Sequence, residues 1–328
     1  MRIATEDARI LLTQVMARLG YAADDIPPIV EHLLDCELRG LGYGGMARAV
    51  AIAERIARTG QPQRPIAVTH ETPVSARING ADHIGYVVAQ RANDLAIRKA
   101  KASGIAAVAA ANTWYTGMLS YFAEQAAAED LVTMIASNAS PWVAPHGAAE
   151  GRFGTNPICY GFPSQGQPII WDIGTSNIMH AEVLLARRLG LPLPEGRAIG
   201  PDGQPTTDPD TALQGAFTAW GGHKGSGLGL VVQMLGVLAG SDGLTPELGG
   251  FGYLIVAIRP DLFGDADDFK RRVSEYAGQV RNARPLDPSQ PVRMPFDRSF
   301  AVREAARASG GFEVSREIVD KLNTLLAA

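Results

Sequence analysis

The chain has 328 residues, 46% hydrophobic and 20% charged, with a formal net charge of -4. That length supports one large domain or two ordinary ones around a substantial core. A slightly acidic chain with no Lys/Arg run argues against a nucleic-acid or anionic-membrane partner, and no apolar run reaches membrane-spanning length.

Residues 1–60 predict helices. Thr5 is a candidate N-cap, followed by Glu6 and Asp7 and by Ala8, Leu11, Leu12, Val15 and Leu19 at helical spacing. Gly20 ends that helix. Asp24 or Asp25 starts the next, with Pro27 and Pro28 in its first turn and Ile29, Leu33 and Leu34 as its buried stripe. The four glycines of RGLGYGGMAR, 39–48, predict a flexible corner, and Met46 opens a third helix. Residues 65–79 change to β-branched runs around a Thr-His-Glu-Thr-Pro turn, which marks a domain boundary near 65–75. Asn79-Gly80 reads as a tight turn. A helix over 85–103, a strand over 105–112, a polar corner NTWYTG and a helix to about residue 129 follow. LVTMIAS reads as a strand and SPWVAPHGAAEGRFG as an irregular loop. Two β-rich runs, 157–162 and 168–173, flank a Pro-Ser-Gln-Gly turn and predict a hairpin. Beyond it come a helix over 181–189, a loop over 192–209, and an apolar helix opened by GGHKGSGLG. The strand FGYLIVAIRP and a helix over 265–279 precede the stretch 292–300, which reads as a short strand entering a polar corner. Two helices, 301–308 and 315–326, close the chain. Helices flanking a mixed run of strands and helices predict an α/β (mixed α+β) fold.

Two corners carry candidate chemistry. Gly154-Thr155-Asn156-Pro157 and Asp172-Ile173-Gly174-Thr175-Ser176 frame the hairpin with glycine and hydrogen-bonding side chains. Gly221-Gly222-His223-Lys224-Gly225 places a lysine and free N–H groups at a helix start, which favours an anion. No G-x-G-x-x-G follows the first strand, and no Walker A loop or G-x-S-x-G elbow occurs. The six histidines and two cysteines show no zinc spacing. Cys36 and Cys159 read as small buried hydrophobes, which suits a reducing cytoplasm.

The motifs GTNP, W-DIGTS, PTTDP (205–209) and GGHKGSGL, in this order and spacing, resemble the malate/L-lactate dehydrogenase family of NAD(P)-dependent oxidoreductases. Supporting stretches are RG…GxxR at 39–48, NG…G at 79–85, SP…AP.G beginning at Ser140, and MPFDR at 294–298. The resemblance implies a non-Rossmann fold in which a helical section from both termini (1–70 with 300–328) packs on a cofactor-binding sheet domain (71–299). It also implies a homodimer, NAD(P)H as cofactor with the choice between NADH and NADPH open, and a small carboxylate-bearing substrate. Ser140, Asp172, Ile173, Gly174, Lys224, Gly225 and Asp297 fall on the cofactor side. Thr155 and Asn156 fall in the pocket wall, and Arg48 faces the substrate carboxylate, a role its planar two-pronged donor suits.

The chain departs from the family at both usual histidines. The pattern RGxxSHGxxR reads here with Tyr43 in the serine slot and Gly44 in the histidine slot, and NSNHFG reads with Tyr115 in place of histidine. Glu182 replaces the lysine that often follows the DMATS segment. Tyr43, Tyr115 and His223 remain as proton donors, with His180 ranked below His223 and His146 as a loop histidine. Trp114, Tyr115 and Tyr43 would shape the pocket. Reduction of a ketone leaves an alkoxide that needs a proton, whereas a protonated imine already has one. The expected reaction is therefore hydride transfer at a C=N bond, or at a C=O served by tyrosine, next to a carboxylate. A cofactor-binding homologue that has lost catalysis is the alternative.

Overall fold

The computed structural model describes residues 1–327. In chain order the elements are β1 (Arg2–Ala4), α1 (Thr5–Arg18), α2 (Ile26–Leu38), α3 (Met46–Thr59), β2 (Ala67–Thr72), β3 (Ser75–Ile84), α4 (Gly85–Ser103) and β4 (Ile105–Trp114). Then come α5 (Leu119–Ala128), β5 (Val132–Ser137), β6 (Ile158–Phe162), β7 (Ile169–Ile173), α6 (His180–Leu189), β8 (Ala198–Ile199), β9 (Pro205–Thr206) and α7 (Pro209–Gln214). The last are β10 (Ala216–Phe217), α8 (His223–Ala239), β11 (Phe251–Ile258), α9 (Ala266–Arg281), α10 (Asp297–Ser309), β12 (Gly311–Glu313) and α11 (Arg316–Ala327).

Seven strands form one mixed sheet in the order β2-β3-β4-β11-β5-β6-β7. Only β3 and β4 pair in parallel, as the α4 crossover between them requires. Alanine-rich faces of α4 and α5 pack on one side of this sheet with Val108, Phe122, Ile135 and Ile255. On the other side Val232 of α8 packs against Ala136 and Ile158. The termini meet where β1 pairs with β12. There α1, α2, α3 and α11 share a core of residues such as Leu12, Leu33, Met46, Ile52 and Leu322. Ile84, Tyr86, Trp114 and Tyr115 belong to the same core, so the ends of β3 and β4 run into the helical section.

Several local expectations change in the folded chain. Thr5 is the first helical residue, not the cap, and its Oγ1 is buried without a partner. The expected turn at Thr69–Pro73 is strand up to Thr72, so the reversal tightens onto Pro73 and Val74. Asn79-Gly80 lies inside β3, where the register against β4 shifts between Asn79 and His83. A side chain at Gly80 would press on the carbonyls of Ala111 and Asn112, so the glycine serves a bulge and not a hairpin. The 192–209 loop contains the small β8–β9 hairpin. Residues 292–300 form no strand. Phe296 takes a left-handed conformation with φ 71°, and α10 starts at Asp297.

Candidate active site

The corners after β4, β5 and β7 meet the 39–48 corner and the start of α10 around a cavity of about 470 Å³. Arg48 stands on the first turn of α3. No residue of that helix caps its start, and instead the Glu37 carboxylate reaches over from α2 and accepts the Met46 N–H at 2.6 Å. Burial raises the Glu37 pKa to about 7, against the pull of that hydrogen bond. The Arg48 guanidinium lies 4.0 Å from the centre of the Tyr115 ring, and its Nη1 is buried with no hydrogen-bond partner. A flat cation resting on an aromatic face with a donor to spare can receive a planar anion.

The corner after β4 is held from outside the site. His32 of α2 accepts the Met118 N–H through Nε2 at 2.8 Å. Burial, aided by Arg39, lowers the His32 pKa to about 3, so it stays an acceptor. Gly117 has φ 77°, and a Cβ there would collide with His32 and Tyr86. Arg39, fully buried, donates to Asp35 at 2.6 Å, to Ser299 at 3.3 Å and to Glu124, which ties the first corner to α5 and α10.

The cavity brings together Tyr43, Gly44, Arg48, Tyr115, Thr155, Asp172 and Gly174. Asp172 Oδ2 accepts the Ser120 N–H at 2.7 Å, so the carboxylate caps α5, while burial raises its pKa. Burial also raises the Tyr43 pKa well above its ordinary value. A Cβ at Gly44 would stand 3.2 Å from Cys36 Sγ, so little room exists there for a side chain.

Other sequence candidates lie outside the cavity lining. Trp114 is fully buried, donates Nε1–H to the Asp82 carbonyl at 2.9 Å, and carries Arg55 4.1 Å above its ring. Asn156 donates to the Gly229 carbonyl at 2.7 Å and to Gln233 at 2.9 Å, locking its loop to α8. Ile173 is half-buried on the β7 end and packs with the Ala136–Val232 cluster. Ser140 is spent on the Pro246 carbonyl and the Leu248 N–H, both at 2.9 Å. Asp297 pairs with Arg281 at 2.7 Å and caps Met294 N–H. His223 and Lys224 are exposed and Gly225 is buried at the start of α8.

His180, ranked low from sequence, is the histidine on the cavity wall. Its ring lies parallel to Trp142 at 3.8 Å, and Nδ1 is buried without a partner. Burial, with Arg48, Arg187 and Arg188 nearby, lowers its pKa to about 3. Nothing in the sequence announces the Trp142 stack, because the two residues lie 38 positions apart, one on a loop and the other at the start of α6.

The fit to a pyridine dinucleotide rests on the two glycine corners. Trp220 N–H donates to the Thr175 carbonyl at 2.9 Å, which joins the 172–176 corner to the Gly221-Gly222 turn. Both glycines have positive φ, Gly221 faces open space, and α8 starts without a side-chain cap. Its first N–H groups are therefore free for a phosphate, and the cavity next door has room for a small ring.

The sequence profile of one family, malate/L-lactate dehydrogenase, matches residues 3–323. The chain belongs to that family. It is 30% identical over 335 residues to the L-sulfolactate dehydrogenase of Methanocaldococcus jannaschii, covering 99% of this chain and 96% of the relative. It is 30% identical over 327 residues to the Δ1-pyrroline-2-carboxylate reductase of Ancylobacter novellus, covering 94% and 93%. A solved dehydrogenase from Sinorhizobium meliloti superposes with a TM-score of 0.92 at 32% identity, covering 99% of this chain and 98% of that one. The fold is thus that of the malate/L-lactate dehydrogenases, and the chain is an NAD(P)-dependent dehydrogenase or reductase. No helix among the described residues is long and apolar enough to cross a membrane.

Proposed function

We propose that this family member reduces a C=N bond next to a carboxylate, with a cyclic imine carboxylate as substrate. One observation carries the reading: Arg48, whose Nη1 has no hydrogen-bond partner, lines a cavity whose histidine, His180, is held neutral by burial and whose Tyr43 has its pKa raised by burial. Arg48 receives the carboxylate with its unpartnered Nη1 as the donor. Reduced nicotinamide, when bound, supplies the hydride. Ketone reduction would then leave an alkoxide, for which a positioned acid contributes on the order of 10²–10⁴ in rate. Tyr43 would have to become a phenolate in the place that already raises its pKa, and His180 carries no extra proton at neutral pH. A protonated imine needs neither, since hydride addition to carbon turns it directly into a neutral amine. The relative named as a Δ1-pyrroline-2-carboxylate reductase supports this choice.

In this reading Asp172, Ile173 and Gly174, with Thr155, flank the nicotinamide end, and Lys224 and Gly225 meet the phosphates with His223 beside them. Asn156, Ser140 and Asp297 hold the loops around that groove through the hydrogen bonds described above. Trp114 places Tyr115, and Gly44 lines the substrate side of the cavity. The helical section of 1–70 with 300–328 forms the substrate side. A homodimer belongs to the same reading, because α8 exposes Leu230, Val231, Met234, Val237 and Leu238 along its outer face. So does a reducing, cytoplasmic setting, in which both buried cysteines stay free.

The test is NAD(P)H oxidation with cyclic imine carboxylates and 2-keto acids, in wild type and in Tyr43→Phe and Tyr115→Phe. Imine turnover is expected to stay close to wild type in both variants. Keto-acid turnover that exceeds imine turnover and falls about 100-fold or more in either variant would refute the imine reading. Binding of NAD(P)H without turnover of any substrate would favour a catalytically silent homologue.

A further inference from the structure

We propose that His180 meets the reacting nitrogen: its neutral imidazole accepts the hydrogen bond of the substrate's iminium N–H while Arg48 holds the carboxylate. This rests on the imine reading and gives it a second contact point.

His180 is the first residue of α6, and its ring is fixed by the parallel stack on Trp142 and by Phe217 beyond, 6.4 Å between centroids. Stacking commits the faces of an imidazole and leaves its edge for hydrogen bonding. His180 itself lines the cavity that holds Arg48 and Tyr115. The side chain is only 6% exposed, yet Nδ1 has no partner. A ring kept for packing alone would be cheaper as phenylalanine, which leaves no buried polar atom unsatisfied. The unmet nitrogen marks a partner that arrives with the substrate.

The electrostatics suit that partner. Burial and three arginines keep the ring uncharged, so it offers one lone pair and does not repel a cation. An imidazole with its ordinary pKa would itself be partly protonated and would compete with the iminium for positive charge. Asp172, on the same wall, accepts the Ser120 N–H at its Oδ2. In the hydride step the new C–H bond forms at the imine carbon and the π pair moves onto nitrogen. The N–H bond stays intact and the positive charge is lost there. His180 gains and loses no proton. It holds the nitrogen protonated and aims the C=N carbon, with the carboxylate anchored at the far side.

The experiment compares wild type, His180→Phe and His180→Gln, each saturated with oxidised pyridine nucleotide. The probes, titrated calorimetrically, are a saturated five-membered cyclic amino acid, protonated at nitrogen, and cyclopentanecarboxylate, its carbon analogue. Wild type is expected to prefer the amino acid by about tenfold or more, the range of a hydrogen bond to a charged group. His180→Phe keeps the stack on Trp142 and is expected to erase the preference, with the binding of cyclopentanecarboxylate unchanged. His180→Gln restores a lone pair and is expected to recover part of the preference. With the imine substrate, His180→Phe is expected to raise KM by about tenfold, in step with the lost binding preference, and to change kcat less. An unchanged preference in His180→Phe, or a glutamine variant no better than phenylalanine, overturns the proposal and leaves the imine reading standing. Failure of wild type to bind either acid overturns the carboxylate reading and this proposal with it.

Discussion

Replacing Arg48 by methionine separates folding from recognition. In the folded chain the guanidinium keeps a buried Nη1 without a partner, which costs about 1–3 kcal/mol. Its stacking on Tyr115 at 4.0 Å returns about 0.5–2 kcal/mol. Methionine fills a similar volume, satisfies its own chemistry and regains about 0.3–1.5 kcal/mol against the same ring. The terms nearly cancel, so the variant is expected to be as stable as wild type or slightly more stable. Carboxylate binding behaves differently. Loss of one charge-assisted hydrogen bond is worth about 1.5–3 kcal/mol, which is roughly 10–150-fold in affinity. Urea unfolding followed by circular dichroism gives the first quantity, and the KM for the imine carboxylate gives the second. A variant destabilised by more than about 3 kcal/mol with an unchanged KM would show that Arg48 holds the fold and not the substrate.

Two further outcomes test the frame around the site. The Glu37 carboxyl has its pKa raised from 4.5 to about 7 in the folded state. Below pH 4.5 it is protonated whether folded or not. Between 4.5 and 7 only the folded chain keeps the proton, so stability falls as pH rises, by roughly 3 kcal/mol in all. Glu37→Gln is expected to flatten that slope in urea titrations from pH 4.5 to 8 while still accepting the Met46 N–H. An unaltered slope would mean that Glu37 is not the titrating group. On α8, Met234 and Leu238 are 55% and 71% exposed. The pair Met234→Glu and Leu238→Glu is expected to turn a dimer into a monomer in sedimentation, and a wild type already monomeric at micromolar concentration would rule out that interface.

Local chemistry carried much of this protein into its sequence. Helical spacing in Ala8–Val15 and in Ile29–Leu34, the 157–173 hairpin and the glycine-flanked motifs are short-range patterns, and short-range forces set them. Arg48, Asp172 and Gly174, which line the cavity, were legible for the same reason, since each sits in a motif only a few residues long. Packing decided the rest. Asn79-Gly80 has the composition of a tight turn, yet the carbonyls of Ala111 and Asn112 across the sheet make it a bulge. Phe296 turns left-handed and lets α10 begin early, which no periodicity in 292–300 foretells. The same holds for the histidines. His223 carries a motif and ends up exposed, whereas His180 carries none and ends up stacked on Trp142 in the cavity wall. A motif records which groups adjoin along the chain; burial, and with it a protonation state, depends on neighbours supplied from loops far away in sequence.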